Sequence, residues 1–193
     1  MDKIDPIYKE LAAKIKMEDS ETLHQIMQKL MTLEQARIVR ELPAPSEEIA
    51  KRLNLDKETV DNHLQELFEK GLLFPTKKGY QMARVFSQLH DAQTNPKFDE
   101  SLGVKYFELW HKLVFEEQGG PLDIFLEAMA GGELPQWRVI PKWKSIKDIT
   151  GVLPSEDARE ILRAAKTLAV IHCVCQRLNP HRECDIPNEK CIV

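Results

Sequence analysis

The segment EEIAKRLNLDKETVDNHLQELFEKGLL, residues 47–73, predicts two amphipathic helices joined by a short turn. Ser46 and Asp56 are the expected N-caps, because their side chains can accept hydrogen bonds from the first free backbone amides of each helix. The turn is expected at Asn54, and Gly71 is expected to end the second helix. Apolar residues recur three and four positions apart, as one buried helix face requires, at Ile49, Ala50, Leu53, Val60, Leu64 and Leu67.

Further helices are predicted on the N-terminal side of this segment. Residues 5–31 carry two helices separated near Asp19, the second with apolar residues at helical spacing. Thr32 and Gln35 have the spacing of a capping box for a third helix, because each side chain can reach the backbone amide of the other residue. That helix is expected to end before Pro43, since the residue before a proline is biased away from helical conformation.

A β-hairpin is predicted on the C-terminal side. The sequence LLFPTKKGYQM, residues 72–82, contains two short strand-like runs on either side of a turn at 76–79. The order helix, helix, turn, helix, hairpin is that of a winged helix-turn-helix, and residues 47–73 resemble the winged-helix regulators. The first half therefore divides into N-terminal helices, residues 1–31, and a winged helix-turn-helix domain, residues 32–90.

DNA binding by this domain depends on the outward face of its last helix. In a helix-turn-helix that face enters the major groove and needs cationic or amide side chains for phosphates and base edges. Residues 56–70 carry two lysines against five carboxylates, a net charge of −3. The wing is basic at Lys77, Lys78 and Arg84, which offsets this charge only in part. DNA is therefore a disfavoured partner, and docking to a protein or formation of a homodimer is expected instead. His63 is expected to lie half-buried at the edge of the apolar face.

The composition is that of a globular protein without a general attraction for polyanions. Of 193 residues, 42% are hydrophobic and 30% are charged, and the net charge is −4. The N-terminal residues lack the apolar core of a signal peptide, and no apolar stretch approaches the roughly 20 residues that span a bilayer. A cytoplasmic protein with no membrane partner is expected. No nucleophile–base pair, phosphate-binding loop or carboxylate dyad has diagnostic spacing, so enzymatic activity is not predicted.

A helical scaffold is predicted for residues 101–193, after a polar domain boundary near 91–96. Its first helix is expected to bury, in a core or a dimer face, the stripe Val104, Phe107, Trp110, Leu113 and Val114. A later helix, ending near Lys166, is expected to bury Ile161, Leu162 and Ala165. The apolar run 168–171 predicts a buried strand that leads directly to Cys173.

All four cysteines lie near the C-terminus, in the sequence CVCQRLNPHRECDIPNEKC at residues 173–191. Four neighbouring thiolates repel one another and are protonated unless a cation holds them, so this spacing predicts a metal site. Disulfides are unusual in a reducing compartment, and free or reactive thiols are the remaining alternative.

The choice of metal rests on the C-x-C pair, Cys173 and Cys175. On an extended chain, two residues separated by one other have Cα atoms about 6.6 Å apart. Sulfurs around one zinc ion lie roughly 3.8 Å apart, if Zn–S bonds of about 2.3 Å point to the corners of a tetrahedron. An iron–sulfur cluster spreads its cysteines over separate irons and accepts the wider pair more easily. The spacing therefore favours iron–sulfur, and zinc stays open as the alternative.

A family resemblance bears on the same question. Val152-Leu153-Pro154, Cys173-Val174-Cys175, Cys184-Asp185-Ile186-Pro187 and Cys191 resemble a group of iron–sulfur proteins of anaerobic bacteria and archaea. Proteins of that group pair an N-terminal winged helix with a C-x-C…C-D-x-P-x-x-x-C site. The resemblance implies a [4Fe-4S] cluster on Cys173, Cys175, Cys184 and Cys191. It also implies a redox protein partner or a downstream ferredoxin-type module, although this chain ends two residues after Cys191 and has Gln176 where the group has arginine.

Three residues near the cysteines are candidates for tuning such a cluster. His172 can donate a hydrogen bond to a cluster sulfur, and Arg177 and Arg182 can offset the negative charge of the thiolates. The predicted fold is mainly α, with an N-terminal winged helix-turn-helix followed by a helical α+β segment that ends in a four-cysteine metal site at residues 171–193. The predicted function is electron transfer or redox response. The alternatives are a redox-sensing winged-helix transcriptional regulator and a zinc-stabilised interaction protein.

Overall fold

The computed structural model describes residues 4–94, 102–120, 143–150, 158–178 and 189–192, with positions 123, 126 and 130. The protein is mainly helical. The helices with described bounds are α1 (Pro6–Ala13), α2 (Glu21–Leu30), α3 (Leu33–Arg40), α4 (Ser46–Leu53), α5 (Lys57–Glu69), α6 (Phe86–Asp91), α7 (Gly103–His111), α8 (Trp143–Ile146), α9 (Ala158–Ala164) and α10 (Val174–Arg177). A 3₁₀ turn, Ala92–Thr94, follows α6, and a π-helical segment, Lys112–Glu117, continues α7.

The strands form two antiparallel hairpins. In the first, β1 (Leu73–Thr76) pairs with β2 (Gly79–Met82), with Leu73 opposite Met82 and Thr76 opposite Gly79. The second hairpin pairs β3 (Val170–His172) with β4 (Glu189–Ile192). Within the described ranges, no helix has the length and apolarity that a bilayer span requires.

The helices α2 and α3 begin at capping residues, and the capping box predicted for α3 is confirmed. Ser20 accepts a hydrogen bond from the Leu23 amide at 3.0 Å and starts α2. At α3 the capping box is complete, because Thr32 Oγ1 accepts from the Gln35 amide at 3.2 Å and Gln35 Oε1 accepts from the Thr32 amide at 3.0 Å. Each cap satisfies amides that would otherwise lack a partner at the helix start.

The helix α1 is tied to the elements that follow it. The Tyr8 hydroxyl donates to the backbone carbonyl of Met31 at 3.2 Å, and both side chains are buried. Lys14 Nζ lies within hydrogen-bonding distance of three carbonyls at the end of α3, those of Val39 (3.3 Å), Arg40 (3.1 Å) and Leu42 (3.4 Å). The end of a helix leaves carbonyls without an intrahelical partner, and Lys14 reaches this end of α3 from another helix, so it serves as a C-terminal cap.

One expected cap is wrong. Pro45, not Ser46, occupies the N-cap position of α4, and it provides no side-chain hydrogen bond. Ser46 is the first residue of the helix, and its side chain, after that of Lys57, contributes to a lowered pKa of Asp61 on α5 through hydrogen bonding. Asp56 caps α5 as expected, accepting from the Thr59 amide at 2.8 Å.

The end of α5 depends on Gly71, as predicted. Its φ is +74°, a left-handed conformation that side-chain-bearing residues adopt only at a cost. The Gly71 amide donates to the carbonyl of Phe68, and the Leu72 amide donates to that of Leu67, both at 3.0 Å. This pair of bonds is the Schellman arrangement, which turns the chain from α5 into β1.

A single hydrophobic cluster joins residues from α1 to the C-terminal part of the chain. Fully buried members include Leu11, Leu23, Leu67 and Trp110, and Leu178 contributes with 4% exposure. The helix α7 packs on α2, so side chains on both sides of the predicted boundary at 91–96 share this cluster.

Some predicted buried faces are wrong. Trp110, Leu113 and Val114 of the predicted stripe are buried, but Val104 is 63% exposed, and Tyr106 is the buried residue near the start of α7. Val104 stands two residues before Tyr106, which is about 200° around the helix, so the two side chains point to opposite sides. In the C-terminal part the expected buried residues Ile161, Leu162 and Ala165 are also exposed.

The strand β3 is not the buried strand that its apolar sequence predicts. Val170 is 67% exposed and Leu168 48%. Both faces of a two-stranded sheet stay open to solvent unless another element packs on them. An apolar run in the sequence does not show whether such an element is present.

Candidate metal centre

The hairpin β3–β4 brings the last cysteine next to the C-x-C pair. Ile171 lies directly opposite Cys191 in the antiparallel register, and Cys173 follows β3 immediately. The register shifts between Ile171 and His172, where His172 pairs with Glu189, so Cys173 is not a regular diagonal neighbour of Cys191. Cys173 keeps extended backbone angles, φ −72° and ψ 114°, so its backbone continues the line of the strand beyond His172.

The chain turns between the two cysteines of the pair. Cys173 is the N-cap of α10, and Cys175 is the second residue of that helix. The turn is closed by hydrogen bonds from the Arg177 amide to the Cys173 carbonyl and from the Leu178 amide to the Val174 carbonyl, both 2.9 Å. Helical geometry brings Cα atoms two residues apart to about 5.4 Å. The extended spacing expected for this pair is therefore wrong, and the argument from it for iron–sulfur over zinc loses its force.

Among the four predicted ligands, the structure describes the backbone at Cys173, Cys175 and Cys191 and the side chain of Cys173. That side chain is a half-buried free thiol. Cys184 and the candidate Arg182 lie outside the described residues. Among the side chains that are described, no three His, Cys, Asp or Glu residues are gathered as ligands of one ion.

The two other candidate tuning residues lie at the two ends of the cysteine pair. His172 ends β3 opposite Glu189 and is half-buried. Arg177 ends α10, and its Nη1 atom is buried. Burial raises the pKa of the Tyr106 phenol, and the positive charge of Arg177 acts on it in the opposite direction. This places the guanidinium near Tyr106, and its predicted role toward a cluster stays a prediction.

The helix α10 packs against the helical core through two apolar residues that neighbour the cysteine pair. Leu178 is buried in the core cluster, and Val174 packs against it from the first position of α10. The helix contacts the 3₁₀ turn Ala92–Thr94, in which Gln93 is fully buried. The signal in the sequence is the spacing of Val174 and Leu178, four residues apart in an otherwise polar run.

The outward face of α5 is acidic, and its two lysines are paired with carboxylates of the same helix. Lys57 pairs with Asp61, and Lys70 Nζ lies 2.6 Å from Glu66 Oε1. The hydrogen bond from Lys70 is the largest cause of a lowered pKa at Glu66. Neither lysine is therefore available to a phosphate without giving up its own partner.

His63 lies half-buried on the side of α5 that faces α3, as predicted. Its Nε2 atom is 3.0 Å from Glu34 Oε1, and its Nδ1 atom is 3.3 Å from Gln35 Nε2. Gln35 also donates to Glu66 at 2.7 Å. His63 is thus part of a polar contact that joins the two helices.

No protein-family model, curated protein or solved structure matches this chain. Its function has to be inferred from its own residues and their placement.

Proposed function

We propose that this protein binds a [4Fe-4S] cluster through Cys173, Cys175, Cys184 and Cys191 and acts in cytoplasmic electron transfer or redox response. The observation that carries the proposal is the pairing of β3 with β4, in which Cys191 lies opposite Ile171, two positions before Cys173 in the chain, and the register shifts after Ile171. A hairpin and a docked helix turn fix the backbone at three of the four cysteines, and regular elements position ligands better than loops do.

The donor set supports a soft metal. All four proposed ligands are thiolates, which suit iron–sulfur clusters and zinc and are poor ligands for magnesium or calcium. Thiolates gathered at this end of the chain would repel one another without a cation, so a bound metal would stabilise the folded C-terminal part. When bound, a cluster would supply one-electron redox chemistry at the cysteines, His172 would donate a hydrogen bond to it, and Arg177 would contribute positive charge.

The elements from α3 to β2 support the assignment of a winged helix-turn-helix used for docking or dimerisation. The helix α5 packs on α3, on α4 and on β1, and the hairpin follows the glycine turn at its end. The acidic face of α5 argues against DNA as the main partner. A redox protein or a ferredoxin-type module is the partner that a cluster-binding protein of this kind would serve. The exposed wing residues Lys77 and Lys78 support the alternative, a redox-sensing regulator, because they are placed to contact phosphates.

A second candidate is a zinc-stabilised interaction protein. The helical turn between Cys173 and Cys175 keeps it open, because the Cα separation of about 5.4 Å no longer favours iron–sulfur over zinc. In that case the cysteines would serve only to hold the C-terminal part together.

Metal analysis of the protein purified without oxygen tests the proposal. A [4Fe-4S] protein holds four iron and four sulfide per chain and has a visible absorption that bleaches with dithionite. One zinc per colourless chain would establish the second candidate, and absence of both metals would refute the metal site. Cys191→Ser is expected to lose the metal. Val170→Thr, at a 67% exposed position of the same hairpin, is the matched control and is expected to keep it.

Retention of the protein on a DNA column distinguishes the docking proposal from the alternative of a transcriptional regulator. The docking proposal expects no salt-dependent retention on a DNA column, because the α5 face is acidic. Retention that falls as salt rises, and that Lys77→Ala with Lys78→Ala abolishes, would instead support the regulator.

A further inference from the structure

The helix that carries Cys173 and Cys175 is held on the core by two apolar side chains. Val174 and Leu178 are four residues apart and therefore lie on the same side of α10. Leu178 is only 4% exposed and belongs to the main hydrophobic cluster, against which Val174 packs. The cysteines are thus separated from the core by no more than one turn of helix.

The surface that receives α10 includes the 3₁₀ turn Ala92–Thr94 and its buried polar contacts. Gln93 Nε2 donates to the Leu89 carbonyl at 3.0 Å, and Gln93 Oε1 accepts from the Tyr106 hydroxyl at 2.7 Å. Gln93 and Tyr106 are fully buried. This network fixes the turn relative to α6 and α7, so α10 packs against a rigid surface.

The other side of the same turn contacts the end of α5. A Cβ atom at Gly71 would lie 2.4 Å from the carbonyl oxygen of Ala92, so backbone approaches backbone closely there. The turn 92–94 therefore lies between the start of the first hairpin and the cysteine-bearing helix.

A helix as short as α10 is not stable on its own, because the entropy lost in nucleating a helix exceeds the stabilisation from the hydrogen bonds of a single turn. Its four residues, Val174–Arg177, persist because docking favours the helical conformation. Metal ligation by the flanking and internal cysteines would favour one fixed conformation of the same residues. Two events that stabilise one conformation strengthen each other.

We propose that Leu178 and Val174 are positioning residues of the metal site, and that metal occupancy at the cysteines and docking of α10 on the turn 92–94 are reciprocally linked. The inference rests on the proposed metal site and adds that metal binding there stabilises the packing of α10 on the helical core. Loss of metal releases α10, and loss of docking weakens metal binding by the same factor. The turn 92–94 thereby links the metal occupancy of the cysteines to the domain formed by α3–β2, which is proposed to dock or dimerise.

The test compares two leucine-to-alanine variants of the full chain. Leu178→Ala removes the buried anchor, and Leu168→Ala removes a leucine that is 48% exposed in the same part of the chain. Zinc ion is the probe, titrated without oxygen against a competing chelator, because a four-thiolate site binds it whichever metal is resident. Leu178→Ala is expected to bind zinc about tenfold more weakly with unchanged stoichiometry, and Leu168→Ala is expected to match the wild type.

Thermal unfolding provides the reciprocal readout. Zinc is expected to raise the Tm of the wild type and of Leu168→Ala, and to raise that of Leu178→Ala by less. If Leu178→Ala does not fold, Leu178→Val takes its place with an affinity expected between those of the other two proteins, because it leaves a smaller gap. Equal zinc affinity and equal Tm shifts in the Leu178 and Leu168 variants would refute the linkage while the metal site stands. A wild type that binds no zinc would refute the metal site itself.

Discussion

Gly71→Ala should destabilise the protein well beyond the ordinary cost of replacing a glycine. The residue has φ +74°, and an alanine held in this region costs about 1–2 kcal/mol. The unfolded chain loses freedom on the same change, which returns about 0.4–1 kcal/mol. These two effects alone predict a net loss of about 1 kcal/mol.

The contact with Ala92 adds to this loss. The new methyl group would meet the Ala92 carbonyl oxygen at 2.4 Å, which is a backbone atom and cannot rotate away. The turn 92–94 must therefore shift, and Gln93 with it. Disturbing the buried hydrogen bond between Gln93 and Tyr106 costs about 1–3 kcal/mol. The total expected for Gly71→Ala is about 3 kcal/mol.

Gly103→Ala is the matched control. Gly103 has nearly the same φ, +68°, but an added Cβ would meet nothing within 4 Å. It should lose only the conformational part, about 1 kcal/mol. Urea unfolding followed by far-ultraviolet circular dichroism measures both variants. Equal losses for the two glycines would refute the reasoning, since the close approach to Ala92 would then contribute nothing.

Three further predictions concern hydrogen bonds and titration. Tyr106→Phe leaves Gln93 without its donor and should cost about 1–3 kcal/mol in urea unfolding at neutral pH. Burial raises the pKa of Tyr106, so the free energy of unfolding of the wild type should fall as pH rises above about 10, the pKa of an unfolded tyrosine. An equally steep fall in Tyr106→Phe would contradict this. Thr32→Ala should cost about 1 kcal/mol by breaking the capping box, whereas Thr32→Ser should keep most of the stability. Because Lys70 lowers the pKa of Glu66, wild-type Tm should fall as pH drops below about 4.3; Glu66→Gln should flatten that fall, and unchanged pH profiles would speak against it.

Local signals in the sequence predicted much of the first half of the molecule. The capping box of Thr32 and Gln35, the cap Asp56 and the terminator Gly71 each involve a side chain or a backbone angle acting within a few residues. Such signals need no knowledge of the rest of the fold, so the helices from α2 to α5 and the first hairpin have bounds close to those expected.

Expectations failed where a distant partner decides the outcome. Ser46 bonds a carboxylate on the next helix instead of capping its own, and nothing in the four residues around it identifies that partner. Val104 is exposed because α7 packs on the core through Tyr106, which lies on the opposite side of the helix. At Cys175 the chain turns into a helix because of the docking contact of Leu178, and that contact depends on a surface more than 80 residues earlier in the chain.

The reach of Lys14 to the end of α3 has a consequence for any attempt to isolate the second predicted domain. A fragment that starts at residue 32 would lack this ammonium group, which lies within hydrogen-bonding distance of three carbonyls at the end of α3. Truncation at the apparent domain boundary would therefore remove part of the domain's own support. Fragments intended for binding studies should begin before Asp5, where the cap of the first helix is retained.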